Sequence, residues 1–350
     1  MLYQLSGIIT ALSPLHFGIG KRKGTFSQTL DYIQGRTLRG MLGYYLYKNN
    51  KDLFNALGIS EDKDLSKCKI LFKNAYPRQN NKNAIASPLK YKWCKNCNKL
   101  LKAEECECLQ EGKKVSGFIT EDSIKNGILE SIKVDKQIET KCPITRKGHA
   151  SPSDNYELSP YHIEGIVPKT QFAFKCLVEE EYIEKVKDAL RQAGVYIGVG
   201  GFRSRGYGTI AFNNFNTETV DTIAETRANE ISKIKNKLLV ANSNIIFRNG
   251  NKSYIGFDKA LFKKYANESL KIIGFQPSEF SLNNQSIKDG IARGWTLKYG
   301  NKVSELIPCI GMGSCVEIEC DAIVLSALEV IGIGSGIQCG YGEVKIYDST

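Results

Sequence analysis

Apolar and polar residues alternate at two distant places in the chain, residues 171–177 and 314–320, and this alternation predicts a β-strand at each. A helix-like stretch follows each strand, at residues 180–192 and 322–329. A glycine-rich loop and a short strand of β-branched or aromatic residues come next. The order strand, helix, glycine-rich loop, strand therefore occurs twice.

The two glycine-rich segments are copies of one another. Gly198–Phe212 aligns without gaps with Gly332–Ile346, at an offset of 134 residues, and both contain a Gly-Tyr-Gly core. We call residues 198–208 the first glycine loop and residues 332–342 the second glycine loop. An internal repeat of this size predicts two related domains.

Each predicted domain also begins with a strand, at Tyr3–Leu12 and at Leu238–Phe247. After the first of these, apolar residues recur at helical spacing, namely Leu38, Leu42, Tyr45 and Leu46, with Thr37 as the predicted N-cap. Duplicated strand-helix-strand halves fit a ferredoxin-like βαββαβ sandwich. The predicted fold class is therefore α+β, with two tandem ferredoxin-like (RRM-like) domains.

The polar stretch 217–237 separates the repeats, which predicts a first domain at residues 1–215 and a second at 216–350. Residues from about 61 to 163 are too many and too irregular for one connection inside such a domain. We therefore expect an insertion there, in the first domain.

Composition restricts the class of partner. Lysine and arginine exceed aspartate and glutamate by 48 to 37, which gives a net charge of +11 and favours an anionic partner such as nucleic acid. The apolar stretches are interrupted before reaching the roughly 18 to 20 residues of a membrane span. The chain also starts without the basic segment of a secretory signal. We expect a cytoplasmic protein with no membrane partner.

Four cysteines lie close together inside the predicted insertion: Cys94, Cys97, Cys106 and Cys108. In a reducing compartment such a cluster favours a metal over disulfides, and four thiolates suffice for a structural tetrahedral zinc site. The Cys-x-Cys half is tighter than the usual Cys-x-x-Cys spacing. Cys142 or His149 therefore remains an alternative to one of the four ligands.

The first glycine loop combines backbone amides with cationic and aromatic side chains, which suits phosphate contact and base stacking. Its candidate RNA-binding residues are Gly200, Gly201, Phe202, Arg203, Arg205, Gly206 and Tyr207. The second glycine loop has Ile337, Gln338 and Cys339 at the places of Arg203, Ser204 and Arg205. Because it has lost these charges, the second loop is interpreted as mainly structural or as adapted to another partner.

A second basic group precedes and opens the first helix. Its candidate RNA-binding residues are Lys21, Arg22, Lys23, Arg36, Thr37 and Arg39. Helix N-terminal amides and cationic side chains can converge on a phosphate. A solvated run of charge is the alternative interpretation.

These motifs resemble the RAMP superfamily of CRISPR-associated proteins. Thr29–Gly40 is similar to the segment of that family at the first helix, with Gln34 in place of the usual proline. Residues 294–298 and 308–314, and the cysteine pair after the first helix, resemble the two-RAMP subunit of type III-D effector complexes, the Csx-ten family. The resemblance covers about residues 1–50, 156–214 and 290–348.

The resemblance implies a structural subunit of a type III interference complex in antiviral defence that grips CRISPR RNA. Its partners would be that RNA, the large polymerase-like subunit and backbone RAMP subunits, with target RNA a further possibility. Two alternatives stay open: a RAMP endoribonuclease that processes precursor CRISPR RNA or cleaves target RNA, and a zinc-containing RNA-binding protein outside CRISPR. His16 and Asp31 are the candidate catalytic residues for the first alternative.

Overall fold

A computed structural model of the protein describes residues 1–23, 26–60, 65–101, 108, 112–142, 160–293, 295–296, 302–303 and 306–349. The α-helices in these residues are α1 (Gly35–Asn49), α2 (Lys51–Ala56), α3 (Glu121–Asn126), α4 (Ile183–Tyr196), α5 (Val220–Ile231), α6 (Lys259–Ile272) and α7 (Ala322–Ile331). None of the helices described has the length and apolar character needed to cross a membrane.

The strands before α4 are β1 (Leu2–Ala11), β2 (Gly18–Lys23), β3 (Phe26–Thr29), β4 (Ile70–Phe72), β5 (Tyr76–Gln79), β6 (Lys82–Ala86), β7 (Lys92–Trp93), β8 (Leu100–Leu101), β9 (Lys113–Lys114), β10 (Phe118–Thr120), β11 (Ser131–Ile132), β12 (Lys136–Lys141), β13 (Tyr161–Ile166) and β14 (Gln171–Glu179). Those after it are β15 (Ile210–Thr219), β16 (Lys237–Ala241), β17 (Phe247–Asn249), β18 (Lys252–Tyr254), β19 (Ser281–Ser286), β20 (Asp289–Ala292), β21 (Trp295–Thr296), β22 (Lys302–Val303), β23 (Ile307–Ile310), β24 (Cys315–Glu319) and β25 (Val344–Asp348).

Two antiparallel sheets share one strand order. In the first sheet β1 lies between β15 and β14, with Leu5 opposite both Cys176 and Thr217, and β4 and β5 pair with the far side of β14. In the second sheet β16 lies between β25 and β24, and β19 pairs with the far side of β24. When the strands of each sheet are numbered in chain order, with β4 and β5 together as the second strand of the first sheet, both sheets have the order fourth, first, third, second. The structure is thus a mixed α+β arrangement with several antiparallel sheets.

Helices cover one face of each sheet. On the first sheet, α1 and α4 bury Leu38, Leu42, Val186 and Leu190 against Leu5, Ile9 and Phe174. On the second sheet, α6 and α7 bury Phe262, Leu270, Leu325 and Leu328 against Leu239, Val316 and Ile346. Removal of these side chains from water supplies the main stabilising free energy of each half.

The opposite face of the second sheet is covered by residues from the predicted insertion. Ile85, Tyr91, Leu100, Ile119 and Ile124 form one apolar cluster with Leu238, Val240, Cys315 and Tyr347. The Tyr91 hydroxyl, on a fully buried ring, donates to the Asp348 carbonyl at 2.5 Å. Strands β5, β6, β10 and β11 of the same segment extend the first sheet. The segment therefore joins the two halves.

One local expectation is corrected. The N-cap of α1 is Gln34 rather than Thr37, because the helix begins at Gly35, whose amide donates to Asn74 Oδ1 at 2.8 Å. The polar stretch 217–237 contains helix α5, where Arg227 Nε lies 2.9 Å from Glu329 Oε2 of α7 and the Ser326 hydroxyl donates to the Ala224 carbonyl.

Candidate functional site

The first glycine loop connects α4 to β15 and is fastened to residues 13–16. The Gly201 amide donates to the His16 carbonyl at 2.9 Å, and the Gly208 amide donates to the Pro14 carbonyl at 2.8 Å. Gly200 has φ +79°, and a Cβ there would lie 2.3 Å from the His16 carbonyl oxygen. Glycine is thus required for this close approach. The loop backbone is held in one shape by the segment beneath it.

Arg203 and Arg205 are exposed on a 3₁₀ turn at the outside of this loop. The Arg205 guanidinium lies 5.6 Å from the Phe202 ring centroid and 5.3 Å from that of Tyr161, and it donates to the Tyr161 hydroxyl. Arg203 Nη1 donates to the Ile197 carbonyl at 3.3 Å. Within the part of the chain described, neither arginine pairs with a carboxylate. Their charges are therefore available to an anion.

Phe202 and Tyr207 differ in their access to solvent. Phe202 is half-buried, has φ +58°, and packs edge-on against the His16 ring at 4.9 Å. Tyr207 is 4% exposed, because its ring lies beneath Gly165. Burial, together with the neighbouring Glu139 carboxylate, raises the pKa of Tyr207 to about 12. Tyr207 packs edge-on against Phe202, with 6.0 Å between the ring centroids, and its RNA contact stays a prediction that its burial does not favour.

His16 lies under the first glycine loop and not in an open site. The ring is 4% exposed, Nδ1 is 2.8 Å from the Glu164 carbonyl oxygen, and Nε2 is 3.3 Å from the Ser27 hydroxyl. Burial lowers the pKa of His16, so the neutral imidazole is favoured near pH 7. Both ring nitrogens are thus engaged within the protein, as a histidine that supports the loop requires.

Asp31, the other candidate for catalysis, lies beside a lysine. Its Oδ1 is 2.6 Å from Lys136 Nζ, which is also 3.3 Å from Glu164 Oε2. Asp31 opens onto a cleft lined in part by Lys136. Asp31 and His16 thus meet different parts of Glu164: Asp31 shares Lys136 with its carboxylate, and the His16 ring lies against its backbone carbonyl.

The second basic group is divided between strand β2 and helix α1. Lys21, Arg22 and Lys23 belong to strand β2, which pairs with β3, and their side chains lie outside the described residues. Arg39 is 4% exposed, and its guanidinium donates to the carbonyls of Ile70, Gly58 and Ile59 at 2.9 to 3.3 Å. Those donors serve the protein backbone, and the RNA contact at Arg39 stays a prediction that this burial does not favour.

Arg36 and Thr37 are half-buried at the start of α1. Arg36 donates to Gln34 Oε1 through Nε and Nη2, and to the Tyr341 hydroxyl through Nη1 at 3.2 Å. The second glycine loop therefore occupies space next to this helix terminus. A Cβ on Gly35 would lie 2.9 Å from both the Cys339 carbonyl oxygen and Gly340 Cα.

The second glycine loop is packed against the first half of the chain. The Phe72 amide donates to the Gln338 carbonyl at 3.2 Å, and Lys73 Nζ donates to the Ile331 carbonyl at 2.6 Å. Just after the loop, Glu343 Oε1 accepts from the Asn74 amide. Burial lowers the pKa of Lys73 to about 8 and raises the pKa of Glu343. These contacts agree with the structural role predicted for this loop.

Three of the four predicted metal ligands are described, and their sulfur atoms converge. The Sγ atoms of Cys94, Cys97 and Cys108 all lie within 4.8 Å of one another. They are carried by a small sheet of β7, β8 and β9, which we call the cysteine ribbon. Three thiols at this spacing could bind a metal ion. Cys106 and His149 lie outside the described residues, and Cys142 is exposed and not part of this group.

Two contributors to the site gave no signal in the sequence analysis. Tyr161 begins β13 and reaches Arg205 across 44 residues of sequence. Lys136 begins β12 and contacts Asp31. Both are brought in by the small sheet β12-β13-β3-β2, whose pairing is non-local. Only the tertiary structure identifies them.

Comparison with protein families matches residues 8–211 to the RAMP superfamily. The match includes the first glycine loop and covers more than half of the 350 residues. The chain therefore belongs to the RAMP superfamily. No curated protein matches it.

Several solved structures are similar to the chain at low identity. One is a type III-B Cmr-beta complex bound to cognate target RNA, with 15% identity, a TM-score of 0.38, and coverage of 62% of this chain and 61% of that one. The chain thus spans less than two thirds of that protein. A second Cmr-beta structure, with target RNA and AMPPnP, gives 15% identity, a TM-score of 0.46, and 90% and 86% coverage. A third structure, of a RAMP protein binding different RNA substrates, has 9% identity and a TM-score of 0.44. The match covers 99% of this chain and 100% of that one.

Proposed function

We propose that the protein is an RNA-binding structural subunit of a type III CRISPR effector complex, and that its first glycine loop contacts the CRISPR RNA. Membership of the RAMP superfamily supports the class of protein. The net charge of +11 supports a polyanionic partner. Within the proposal, other effector subunits, including a large polymerase-like subunit and backbone RAMP subunits, are the protein partners.

A single observation carries the RNA contact. Arg203 and Arg205 face solvent on a loop whose backbone is fixed to residues 13–16, and no described carboxylate neutralises them. Fixed cationic groups lose little conformational freedom when a phosphate binds. Arg205 also stands between two aromatic rings, which restricts its guanidinium further. Phe202, half-buried beside it, offers a ring edge to a splayed base.

The finer assignments belong to the same proposal. The common strand order of the two sheets supports two ferredoxin-like domains, at residues 1–215 and 216–350, with the segment 61–163 inserted in the first. The sequence resemblance to the Csx-ten family favours a type III-D complex. The buried position of His16 and the ion pair of Asp31 favour a structural subunit over an endoribonuclease.

We further propose that the cysteine ribbon holds one structural Zn²⁺ through Cys94, Cys97 and Cys108, with Cys106 as the fourth predicted ligand. Thiolates are the preferred ligands for such a site. The ribbon has only short strands, so metal binding would supply much of its stability. Metal analysis of the purified protein should return about one equivalent of zinc, and Cys97→Ser should lower it. A zinc-free native protein would remove this assignment.

The main test identifies the RNA that copurifies with the protein and measures the affinity of the protein for RNA. Sequencing of copurified RNA should show guide-length molecules with a repeat-derived end, whereas a mixture of unrelated RNAs would favour an RNA-binding protein outside CRISPR. In titrations, Arg203→Ala with Arg205→Ala should weaken binding and reduce the slope of log affinity against log salt by ~1.4, the value for two contacts to single-stranded phosphates.

The matched control removes two exposed positive charges from α4, by Lys185→Ala with Arg191→Ala. This control should leave affinity and slope close to those of the parent protein. Equal effects of the two double variants would mean that the first glycine loop is not the phosphate contact. RNA cleavage abolished by His16→Ala or Asp31→Ala would instead establish the endoribonuclease alternative.

A further inference from the structure

A cleft of about 470 Å³ lies away from the first glycine loop, where three parts of the chain meet. Asp31 and the preceding residues of β3 form one part of its lining. Residues 114–118, which leave the cysteine ribbon, form the second part, and Lys288 and Met312 of the second half form the third. A volume of this size is within the range of small-molecule and nucleotide sites.

The lining contains both cationic and anionic groups. Lys114 and Lys288 are exposed, and neither pairs with a carboxylate among the described residues. The Asp31 and Glu164 carboxylates share the single ammonium of Lys136, at 2.6 and 3.3 Å. The side chain of Asp31 remains 44% exposed despite this contact. The cleft therefore offers hydrogen-bond acceptors near Lys136 and uncompensated positive charge at Lys114 and Lys288.

Positive charge continues from the cleft onto the cysteine ribbon. Lys114 of β9 lies directly opposite Lys92 of β7, and Lys113 lies opposite Trp93. Like charges facing each other across an antiparallel pair are destabilising. The neighbouring Lys95 ammonium also lowers the pKa of Lys113. Several lysines are therefore close together where the cysteine ribbon borders the cleft.

Glu164 links the cleft to the first glycine loop. Its carbonyl oxygen is 2.8 Å from His16 Nδ1, and the His16 ring packs against Phe202. Its carboxylate accepts from the Thr29 amide at 2.9 Å and lines the cleft. Glu164, on β13 beside β3, therefore contacts the cleft through its carboxylate and the support of the first glycine loop through its carbonyl.

We propose that the cleft binds a nucleotide of single-stranded RNA, a site additional to the first glycine loop that rests on the proposed RNA-binding function. The phosphates lie against Lys114 and Lys288, and the base directs amino groups toward the Asp31 carboxylate. Apolar side chains such as Met312 contact the base. The mixture of acceptors and cations favours a nucleotide over an acidic peptide, because the amino groups of a base can donate to the exposed Asp31 carboxylate, whereas the carboxylates of such a peptide are repelled by Asp31 and Glu164.

The test uses the full-length protein and single-stranded RNA of the sequence that copurifies with it. Lys114→Ala with Lys288→Ala should weaken binding about tenfold and reduce the salt slope by ~1.4, since two phosphate contacts are lost. Lys252→Ala with Lys271→Ala is the control, because both lysines are exposed and lie outside the cleft lining. RNA carrying 4-thiouridine should crosslink to peptides that contain residues 115–118 or Met312.

The outcomes distinguish the cleft site from the proposed RNA-binding function. The cleft site is wrong if Lys114→Ala with Lys288→Ala binds RNA as the control does and no crosslinks form in the cleft. The proposed function stands in that case, provided that the parent protein binds RNA and that Arg203→Ala with Arg205→Ala weakens the binding. Crosslinks at the cleft that disappear in the lysine variants support the site. A parent protein that binds no RNA overturns both proposals.

Discussion

The two glycine loops are copies in sequence and opposites in environment. Gly206 and Gly340 occupy equivalent positions, with φ values of +85° and +84°. A Cβ on Gly206 would have no heavy atom within 4 Å, whereas a Cβ on Gly340 would lie 2.5 Å from Asn74 Oδ1 and 3.0 Å from Gly35 Cα. The same backbone turn is therefore open in the first loop and enclosed in the second.

This difference explains the exchange of side chains between the copies. The positions of Arg203 and Arg205 in the first loop are taken by Ile337 and Cys339 in the second. Ile337 is fully buried in the core of the second half, and the Cys339 carbonyl lies against Gly35 of the first half. An unpaired guanidinium in that place would carry a large desolvation cost. The second copy thus serves packing between the halves, whereas the arginines of the first copy remain exposed.

The largest expected effect comes from adding one methyl group at the equivalent glycines. Gly340→Ala should lower the free energy of unfolding by about 3 kcal/mol, because a positive φ and a clash with backbone and Asn74 add together. Gly206→Ala should lower it by about 1 kcal/mol, since only the backbone strain remains. Urea denaturation followed by far-ultraviolet circular dichroism measures both values.

Equal losses for the two substitutions would contradict the assignment of the loops to different environments. The pair is a close control for conformational strain, because the two φ values are nearly the same. RNA affinity provides the complementary measurement. The RNA affinity should fall together with stability in Gly340→Ala. In Gly206→Ala, once this variant is confirmed to be folded, the affinity should remain close to that of the parent protein.

A medium effect is expected from the buried charges at the second loop. Lys73 has a folded-state pKa of about 8, below its usual value of 10.5, because burial disfavours its charge. Between these two values the unfolded chain binds more protons, so stability should rise with pH, by about 1 kcal/mol from pH 8 to pH 9. Lys73→Met should remove this dependence of stability on pH. Midpoints of urea denaturation at several pH values measure it.

The first loop gives the control for that titration. Arginine stays charged throughout this pH range, so Arg203→Ala with Arg205→Ala should leave the slope unchanged. A parent slope that survives in Lys73→Met would mean that Lys73 is not the group that titrates in this pH range.

Local elements of the fold could be predicted from the sequence. The alternation at residues 171–177 and 314–320 corresponds to strands Gln171–Glu179 and Cys315–Glu319, and the helix-like stretch 322–329 corresponds to Ala322–Ile331. These signals are local, because side-chain periodicity is set by the element itself. The first glycine loop could also be recognised from glycine and charge in one short segment, and its two arginines are exposed.

Burial decided by distant partners could not be predicted. Arg39 is charged and lies on a helix, yet carbonyls at Gly58, Ile59 and Ile70 take its donors. The stretch 217–237 is polar, yet Arg227 within it forms an ion pair with Glu329, a carboxylate 102 residues away in sequence. In both cases a polar residue is accommodated by a partner that sequence spacing does not indicate.

The smallest expected effect concerns Tyr161, which sequence reasoning also missed. Tyr161→Phe keeps the ring next to the Arg205 guanidinium and removes the hydroxyl that accepts from it. Loss of one exposed hydrogen bond should weaken RNA binding by about threefold, equivalent to about 0.5 to 1 kcal/mol. The mechanism is orientation of Arg205 and not direct contact, so Tyr161→Phe should have no further effect in an Arg205→Ala background. Additive losses in the double variant would mean that the Tyr161 hydroxyl contacts RNA itself.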